Sequence, residues 1–334
     1  MNSSLLRSIA KQIVSKTILA TDESTSTIKK RLATIGIDST PEINRQYREL
    51  LFAADGIEKY VSAVILFDET IRQSTTGNKP FPKFLEEKGI LPGIKVDKGI
   101  VPITTLGVDM FTQGLDGLTK KLDEYRLLGA KFAKWRAVFT IAKNCPSTTI
   151  VRRNSHDLAL YALLCQEANI VPIVEPEILM AGDHSLEEDR KITENVLNEV
   201  FEKIKEYGVD PQGMILKPNM ITAGEKNGRQ ADIDTVATFT IKALMQTVPQ
   251  EVAGIAFLSG GQTPDLATAH LNVINKIKNS NPSAYPWRIT ASYGRALQGE
   301  TLEAWAGKKE NIVQAQKVFI NRAKKVFEAS MGRL

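Results

Sequence analysis

The stretch NIVPIVEPE (residues 169–177) is a short apolar run that ends in two glutamates, and MILKP (214–218) is a second run that carries a lysine near its end. Between them lies a longer stretch, residues 185–209, in which apolar side chains recur at every fourth position. These side chains are Ile192, Val196, Val200 and Ile204. That spacing predicts an amphipathic helix, and Gly208 marks its end. A strand, a helix and a second strand in this order predict a βαβ unit with parallel strands.

Short apolar runs of this kind alternate with helical patterns along the whole chain. The runs are TILATD (17–22), SAVILF (62–67), GIKVD (93–97), KFAKWR (131–136), NIVPIVEPE (169–177), MILKP (214–218), GIAFLS (254–259) and RITASYG (288–294). Their centres lie roughly 30 to 45 residues apart, which leaves room for a strand, a helix and two loops in each unit.

Eight strand–helix units favour a closed (β/α)₈ TIM barrel over a doubly wound sheet, and no GxGxxG motif follows the first run. No linker rich in Pro, Gly or Ser divides the chain. We therefore predict a single barrel domain over residues 1–334, with an amino-terminal helix at about 3–15 and a carboxyl-terminal helical segment at about 310–330.

The amino-acid composition limits which classes of protein the chain can belong to. The chain has 334 residues, of which 43% are hydrophobic and 24% are charged, as is typical of globular proteins. No apolar run approaches the ~20 residues that span a membrane, and the amino-terminal stretch has no signal-peptide pattern. The two cysteines, Cys145 and Cys165, show no CxxC spacing, which is compatible with a reducing compartment. We expect a cytoplasmic protein without a membrane partner.

Metal ions and nucleic acids are not predicted as ligands. The three histidines, His156, His184 and His270, match no metal-ligand spacing, so neither a metal site nor a cofactor is expected. The formal net charge is +5, and the basic clusters at residues 29–31 and 322–325 are separate and lack interleaved aromatic residues. They predict solvated helix faces rather than a nucleic-acid surface, and a mild positive excess suits a small anionic substrate.

Polar side chains stand at or near the carboxyl ends of seven of these runs, where a barrel places its catalytic groups. They are Asp22, Lys95, Lys134, Glu175, Glu177, Lys217, Ser259, and the segment Ser292–Arg295. Because alternate residues of a strand face the same side, Lys217 lies on the face of Ile215, and Arg136 on the face of Lys134. If these faces point inward, one mouth collects the lysines, arginines and carboxylates, which predicts a pocket.

A lysine amine in such a pocket can perform covalent chemistry on a carbonyl group. The amine reacts only when it has lost its proton, and burial and neighbouring cations both lower a lysine pKa from about 10.4 toward 7–8. Lys217 lies at the end of an apolar strand and faces other cations, so it is the candidate for a Schiff base. Carbon–carbon cleavage through the iminium also needs proton transfer, for which Asp22, Glu175 and Glu177 supply carboxylates.

Two glycine-bearing loops are candidate phosphate sites. Ser259-Gly260-Gly261 and Gly294-Arg295 each precede a helical pattern, where exposed backbone N–H groups and an arginine bind phosphate well. A phosphate site in the loops after strands seven and eight is common in barrels. A second anion site is predicted where DESTST (22–27) runs into a helix that carries Arg31, although that motif alone is no more specific than a helix N-cap.

Taken together, these residues resemble those of class I fructose-bisphosphate aldolases, the metal-independent Schiff-base enzymes of glycolysis. The matching stretches occur in order between residues 19 and 298: LATDEST with KKRL, GIKVDKG, TQGLDGL, AKFAKWR, VPIVEPEIL, ILKPNM, FLSGGQ and SYGRALQ. One such piece is moderately specific, whereas the ordered set is very specific.

The resemblance implies a role for each site residue. Lys217 would form the Schiff base, Glu175 would act as the acid–base residue, and Glu177 would assist dehydration. Asp22 would handle the proton of the hydroxyl beside the scissile bond, and Lys134 would position the substrate. The remaining candidate substrate contacts are Ser259, Gly260, Gly261, Ser292, Gly294 and Arg295 for the phosphate on carbon one; Ser24, Thr27, Arg31 and Lys95 for the phosphate on carbon six; and Arg136.

The implied reaction is the reversible cleavage of fructose 1,6-bisphosphate to dihydroxyacetone phosphate and glyceraldehyde 3-phosphate, in glycolysis and gluconeogenesis. Family members are commonly homotetramers. Two departures bear on the resemblance: Ser26 replaces a usual glycine, and the chain ends at ASMGRL, whereas many relatives continue to a terminal tyrosine. The second departure bears on turnover and on the preference between bisphosphate and monophosphate sugars.

Two alternative functions remain at this point. A Schiff-base aldolase of another phosphorylated ketose, such as fructose 1-phosphate, would keep Lys217 and the anion loops but change the contacts to the sugar. A catalytically idle scaffold would instead show decay of the catalytic set, which is complete in this sequence.

Overall fold

The computed structural model of the protein describes residues 2–104 and 107–334, so Met1 and residues 105–106 of the predicted domain lie outside it. Its strands are β1 (Thr17–Thr21), β2 (Val61–Leu66), β3 (Leu91–Lys95), β4 (Ile100–Pro102), β5 (Met110–Thr112), β6 (Phe132–Thr140), β7 (Val171–Leu179), β8 (Ile215–Leu216), β9 (Gly254–Phe257) and β10 (Arg288–Tyr293).

Eight of the described strands form a closed parallel barrel in the order β1-β10-β9-β8-β7-β6-β3-β2. Each arises from one of the runs recognised in the sequence, and pairing of Ile18 with Ser292 joins the first strand to the last. The predicted (β/α)₈ barrel is therefore confirmed. The short strands β4 and β5 pair with each other in an antiparallel hairpin outside the barrel, and the strand pattern did not predict them.

Helices alternate with the barrel strands. They are α1 (Ser3–Ile13), α2 (Thr25–Ala33), α3 (Pro41–Phe52), α4 (Asp68–Ile71), α5 (Phe81–Glu87), α6 (Leu118–Leu127), α7 (Thr148–Glu167), α8 (Leu186–Glu206), α9 (Ile233–Thr247), α10 (Pro264–Ser280), α11 (Arg295–Trp305) and α12 (Ile312–Ser330). Single 3₁₀ turns lie at Ile57–Lys59, Pro211–Gly213 and Lys309–Asn311. Among the described helices, none is both long and apolar enough to cross a bilayer.

In helix α8, which connects β7 to β8, the local sequence determines where the helix begins and ends. Ser185 caps its first turn: the Ser185 hydroxyl accepts from the Glu188 N–H at 3.2 Å, and the Glu188 carboxylate accepts from the Ser185 N–H at 2.7 Å. This capping box satisfies donors that have no partner within the helix. At the other end Gly208 adopts a left-handed φ of 66°, which glycine accommodates without strain and which turns the chain toward β8.

The interior of the barrel is apolar at its amino end. Helix α1 closes that end with buried side chains, which pack against inward-facing side chains of the strands. Together these residues include Leu6, Ala10, Ile13, Ile18, Ala63, Ile65, Phe132, Ile173, Ile215 and Ala256. Gly93 is required in this layer, because a Cβ there would lie 2.3 Å from the ring of Phe132. The filled amino end leaves the carboxyl end of the barrel as the place where polar side chains meet.

Candidate active site

One cleft of about 1120 Å³ opens at the carboxyl ends of the barrel strands. All of the site residues predicted from the sequence line it: Asp22, Ser24, Thr27, Arg31, Lys95, Lys134, Arg136, Glu175, Glu177, Lys217, Ser259, Gly260, Gly261, Ser292, Gly294 and Arg295. The tertiary structure thus brings together residues that lie more than 270 positions apart in the chain.

Three charged side chains form the buried centre of the cleft. The Lys217 Nζ lies 2.9 Å from Glu175 Oε1, and the Lys134 Nζ lies 3.2 Å from Glu175 Oε2. Lys134 also pairs with Asp22 Oδ2 at 2.8 Å. Both lysines and Glu175 have side chains no more than 5% exposed. Glu175 therefore bridges the two ammonium groups at the floor of the cleft.

The period of two along each strand explains why these charges converge. Lys217 follows Ile215, Lys134 follows Phe132 and Glu175 follows Ile173 on inward faces, each one layer above an apolar side chain of the barrel interior. The Lys217 N–H donates to the Val174 carbonyl at 2.8 Å, which extends the ladder of the two-residue strand β8 by one bond. Pro218 has no N–H to continue the ladder, so the strand ends directly after the lysine.

Asp97 is a buried member of this site that the sequence interpretation missed. Its carboxylate lies 2.6 Å from Lys95 Nζ and 3.7 Å from Lys134 Nζ, and it accepts a weak hydrogen bond of 3.4 Å from the Arg136 N–H. Because the register pairs Lys95 with Lys134 on adjacent strands, the two ammonium groups need an anion between them. The signal was present in GIKVD (93–97), where Asp97 ends the run on the face of Lys95.

The ionic contacts set the protonation of the central groups. Burial alone would raise the pKa of Asp22, but the charges of Lys134, Lys217 and Lys95 outweigh it and lower that pKa well below its usual value. Glu175 has a lowered pKa for the same reason, with Lys134 and Lys217 as the largest favourable contributions. Burial disfavours the charged form of Lys134, yet the surrounding carboxylates raise its pKa above the ordinary lysine value. Lys134 is therefore a permanent cation beside two ionised carboxylates.

The rim of the cleft holds a second ion pair. The guanidinium of Arg136 donates to the carboxylate of Glu177, and the Arg136 side chain is 38% exposed. Because this arginine reaches both the rim and solvent, it is available to an anionic group of a ligand.

The two predicted phosphate loops lie side by side on the opposite wall. Gly260 and Gly261 have φ angles of 55° and 87°, a left-handed conformation that favours glycine in the turn between β9 and α10. Arg295, the first residue of α11, donates to the Gly261 carbonyl at 3.5 Å and so links the loops. Nearby, the hydroxyl of Ser292 is buried and has no hydrogen-bond partner among the described residues. An unpaired buried hydroxyl in the cleft wall suits a polar ligand.

The second anion region predicted from the sequence surrounds the start of α2. The hydroxyls of Ser24 and Thr27 lie 3.0 Å apart, and Arg31 follows one turn later with its guanidinium paired to the carboxylate of Glu23. A Cβ placed on Gly294 would lie 3.6 Å from Arg31 Nη2. Arg31 therefore lies beside the Gly294 loop as well as near Ser24 and Thr27.

A family model described as "Fructose-bisphosphate aldolase class-I" matches residues 5–334 of the chain. The chain belongs to this family. It is 46% identical over 317 residues to fructose-bisphosphate aldolase 4, cytosolic, of Arabidopsis thaliana, covering 95% of this chain and 80% of that protein. It is also 46% identical to the fructose-bisphosphate aldolase of Drosophila melanogaster, covering 98% and 90% of the two chains.

The fold of this aldolase also agrees with an experimental structure. Fructose-bisphosphate aldolase of Plasmodium falciparum, solved in complex with TRAP and a small-molecule inhibitor, superimposes with a TM-score of 0.96 at 43% identity. The match covers 99% of this chain and 95% of that chain. The family resemblance read from the sequence motifs is confirmed.

The loop after the Schiff-base candidate is held by a buried carboxylate of α8. Asp189 accepts from the Thr222 N–H at 2.8 Å and from the Thr193 hydroxyl at 2.9 Å. Burial raises the pKa of Asp189 to about 7, although both hydrogen bonds oppose the shift. The folded aldolase therefore keeps a proton on Asp189 at pH values where the unfolded chain has lost it. Such a group loses its contribution to stability as the pH rises from about 4 to about 7.

Asp189→Asn is expected to remove this pH dependence, because the amide does not ionise and keeps both contacts: its oxygen can accept from the Thr222 N–H, and its NH₂ can donate to the Thr193 hydroxyl. Between pH 5 and pH 8 the wild-type free energy of unfolding should fall by about 2–3 kcal/mol more than that of the variant. Urea unfolding at the two pH values measures the difference. Asp183→Asn, an exchange at an exposed site in the same region, is the matched control. If the free energies of unfolding of wild type and Asp189→Asn changed equally with pH, the raised pKa of Asp189 would be contradicted.

Proposed function

We propose that this aldolase reversibly cleaves fructose 1,6-bisphosphate to dihydroxyacetone phosphate and glyceraldehyde 3-phosphate through a Schiff base on Lys217. The observation that carries the proposal is the buried contact of Lys217 with Glu175, in one cleft with anion-binding loops on both sides. A primary amine beside a carboxylate provides both the nucleophile and the proton transfer that imine formation requires.

In the proposed mechanism the carboxylate of Glu175 first takes a proton from the amino group of Lys217, 2.9 Å away. The freed amine attacks the ketone carbon, and a proton moves from its nitrogen to the carbonyl oxygen to give a carbinolamine. The carbinolamine loses water with a proton from Glu175, which forms the iminium. Asp22 then removes the proton of the hydroxyl on carbon four, and the bond between carbons three and four breaks. Carbon four leaves as the aldehyde of glyceraldehyde 3-phosphate, and the electron pair of the broken bond moves into the enamine. Protonation of the enamine and hydrolysis of the imine release dihydroxyacetone phosphate.

The charges of the site suit these steps. Lys134 contacts both Asp22 and Glu175, so one fixed cation orients the two carboxylates and stabilises the negative charge that develops during proton transfer. Arg136 and Lys95 lie on neighbouring strands at the rim, and Arg295 lies on the opposite wall. This separation of cations suits a substrate with a phosphate at each end.

Borohydride reduction with dihydroxyacetone phosphate, followed by proteolysis and mass spectrometry, tests the proposal. The reduced adduct is expected on Lys217, and a sample without the triose phosphate is the blank. An adduct on another lysine would refute the assignment of the nucleophile. Steady-state rates with fructose 1,6-bisphosphate and with fructose 1-phosphate distinguish the proposed substrate from the monophosphate alternative, and an unreactive protein would support the scaffold alternative.

Arg295→Ala is expected to weaken the binding of substrates that carry a phosphate, because the Arg295 guanidinium at the start of α11 reaches the Gly261 loop. Binding of substrates without a phosphate should change less. Loss of a charge-assisted contact should raise the free energy of substrate binding by about 2–3 kcal/mol, measured as an increase in KM. Arg229→Ala changes an exposed arginine outside the cleft-lining set and should leave KM unaltered. An equal loss of binding for an unphosphorylated analogue would count against the phosphate contact.

We also propose a cytoplasmic homotetramer, on the basis of the family and of the word cytosolic in the name of the Arabidopsis relative. Light scattering of the purified protein should give four times the chain mass, and a fluorescent fusion should distribute through the cytoplasm. A monomeric mass or an organellar pattern would refute the respective part.

A further inference from the structure

At the wall of the cleft lies a group of four side chains, the Glu23 cluster. It consists of Glu23 and Arg31, which line the cleft, and of Arg48 and Gln298, which are buried and lie outside the lining. The Arg48 Nη2 donates to Glu23 Oε2 at 2.6 Å, and Arg31 pairs with Glu23 Oε1. The Gln298 amide donates to the same Oε1 at 3.1 Å. One carboxylate therefore holds two guanidinium groups and an amide at once.

This cluster joins several elements that carry site residues. Glu23 directly follows Asp22, and Gln298 also donates to the Ala20 carbonyl at the end of β1, at 2.6 Å. Gln298 belongs to α11, whose first residue is Arg295. The cluster therefore connects the end of β1, which Asp22 directly follows, with both anion regions of the cleft.

The two arginines of the cluster differ in their exposure to the cleft. Arg48 is 2% exposed, and its guanidinium lies 5.6 Å from the centre of the Tyr47 ring, which in turn stacks on Trp305 of α11. It is absent from the lining of the cleft, so it acts on the ligand only through other residues. The Arg31 side chain is 26% exposed and lines the cleft beside Gly294.

The charge of the cluster follows from these contacts. Paired with Arg31 alone, the carboxylate of Glu23 would cancel the positive charge that a phosphate needs. Arg48 supplies a second cation to the same carboxylate, so the three ionised groups together carry one excess positive charge. Because Arg48 is buried, the excess positive charge of the cluster is accessible to a ligand at Arg31.

We propose that Arg48 is a positioning residue for substrate phosphate, which neutralises Glu23 and fixes the guanidinium of Arg31 between the two anion regions. The inference rests on the proposed function of the cleft. It assigns to a residue of α3, outside the cleft lining, a role in substrate affinity and not in the chemical step.

Arg48→Met tests this role, because methionine fills the volume and removes the charge. KM for fructose 1,6-bisphosphate is expected to rise about tenfold while kcat stays within about twofold of wild type. Arg48→Lys keeps the charge without the planar fork and should show a smaller increase. The double variant Glu23→Gln, Arg48→Met removes the carboxylate charge as well, and KM should return to within about threefold of wild type.

Controls separate this inference from a loss of stability and from a failure of the proposed function. Arg45→Met removes an arginine from the outer face of the same helix, where it pairs with Glu42 and Glu49, and should leave KM unchanged. Borohydride trapping at saturating dihydroxyacetone phosphate should still modify Lys217 in wild type and in each Arg48 variant. If wild type forms no adduct, the proposed function fails.

If wild type is trapped, a folded Arg48→Met or Arg48→Lys protein with wild-type KM overturns the inference, as does a double variant with no recovery. Where Arg48→Met does not fold, the lysine variant and the double variant carry the test.

Discussion

Lys217→Met is expected to lower the rate of fructose 1,6-bisphosphate cleavage about 10⁴-fold or more, because the covalent route through the imine is lost with the amine. Methionine has a similar length and can occupy the same apolar space. Glu175 keeps its contact with Lys134 at 3.2 Å, so the exchange does not leave a buried carboxylate without a cation. The variant should therefore fold.

Two measurements check this prediction: the steady-state rate, and the mass of the protein after borohydride reduction with dihydroxyacetone phosphate. The variant should show neither turnover nor adduct. Lys226→Met, the same exchange at an exposed residue nine positions further on, should retain both. A trapped adduct in the Lys217 variant would place the nucleophile elsewhere.

Glu175→Gln is expected to lower kcat about 10²–10³-fold, the scale of a lost general acid–base group. Glutamine preserves the size of the side chain and an oxygen that accepts from the ammonium group of Lys217. It neither donates nor removes a proton at the pH of the assay, so dehydration of the carbinolamine should become slow. Substrate binding should change much less, because the phosphate regions lie at the walls of the cleft.

Single-turnover kinetics with rapid quenching in borohydride follow imine formation directly. The matched control is Glu177→Gln, the same exchange two residues further on strand β7, where the carboxylate pairs with Arg136 at the rim. Its effect should be smaller, about tenfold or less, consistent with an assisting role. An imine formed at the wild-type rate in Glu175→Gln would remove Glu175 from the mechanism.

Much of the fold was predictable because it depends on local patterns. Each of these patterns depends only on a few neighbouring residues: the apolar runs, the helical spacing in residues 185–209 and the helix end at Gly208. The structure contains the expected strand, helix or helix end in each case. Helix ends agree only approximately: α1 ends at Ile13, against an expected end at about 15. The carboxyl-terminal helical segment expected at about 310–330 consists of a 3₁₀ turn at Lys309–Asn311 followed by α12 (Ile312–Ser330). Helix ends depend on caps and on tertiary packing as well as on periodicity.

The membership of the cleft was predictable for a related reason. Alternation along a strand assigns Lys134, Glu175 and Lys217 to the faces of Phe132, Ile173 and Ile215, and a closed barrel then directs those faces inward. The residues missed were Asp97 and the members of the Glu23 cluster other than Arg31. Asp97 was visible in the pattern, whereas Arg48 and Gln298 lie in helices and resemble ordinary surface or core positions when read alone.

The sequence by itself determined the order of strands and helices, the polar residues at the strand ends and the family motifs, since these follow from residue type and short-range spacing. Only the tertiary structure decided which charges meet. Closure and register place Arg136 opposite Glu175, Lys95 opposite Lys134, and Arg48 within 3.4 Å of Gln298, 250 positions away. Coulombic energy and desolvation depend on distances of a few ångströms, and local spacing carries no information about distances between such remote residues.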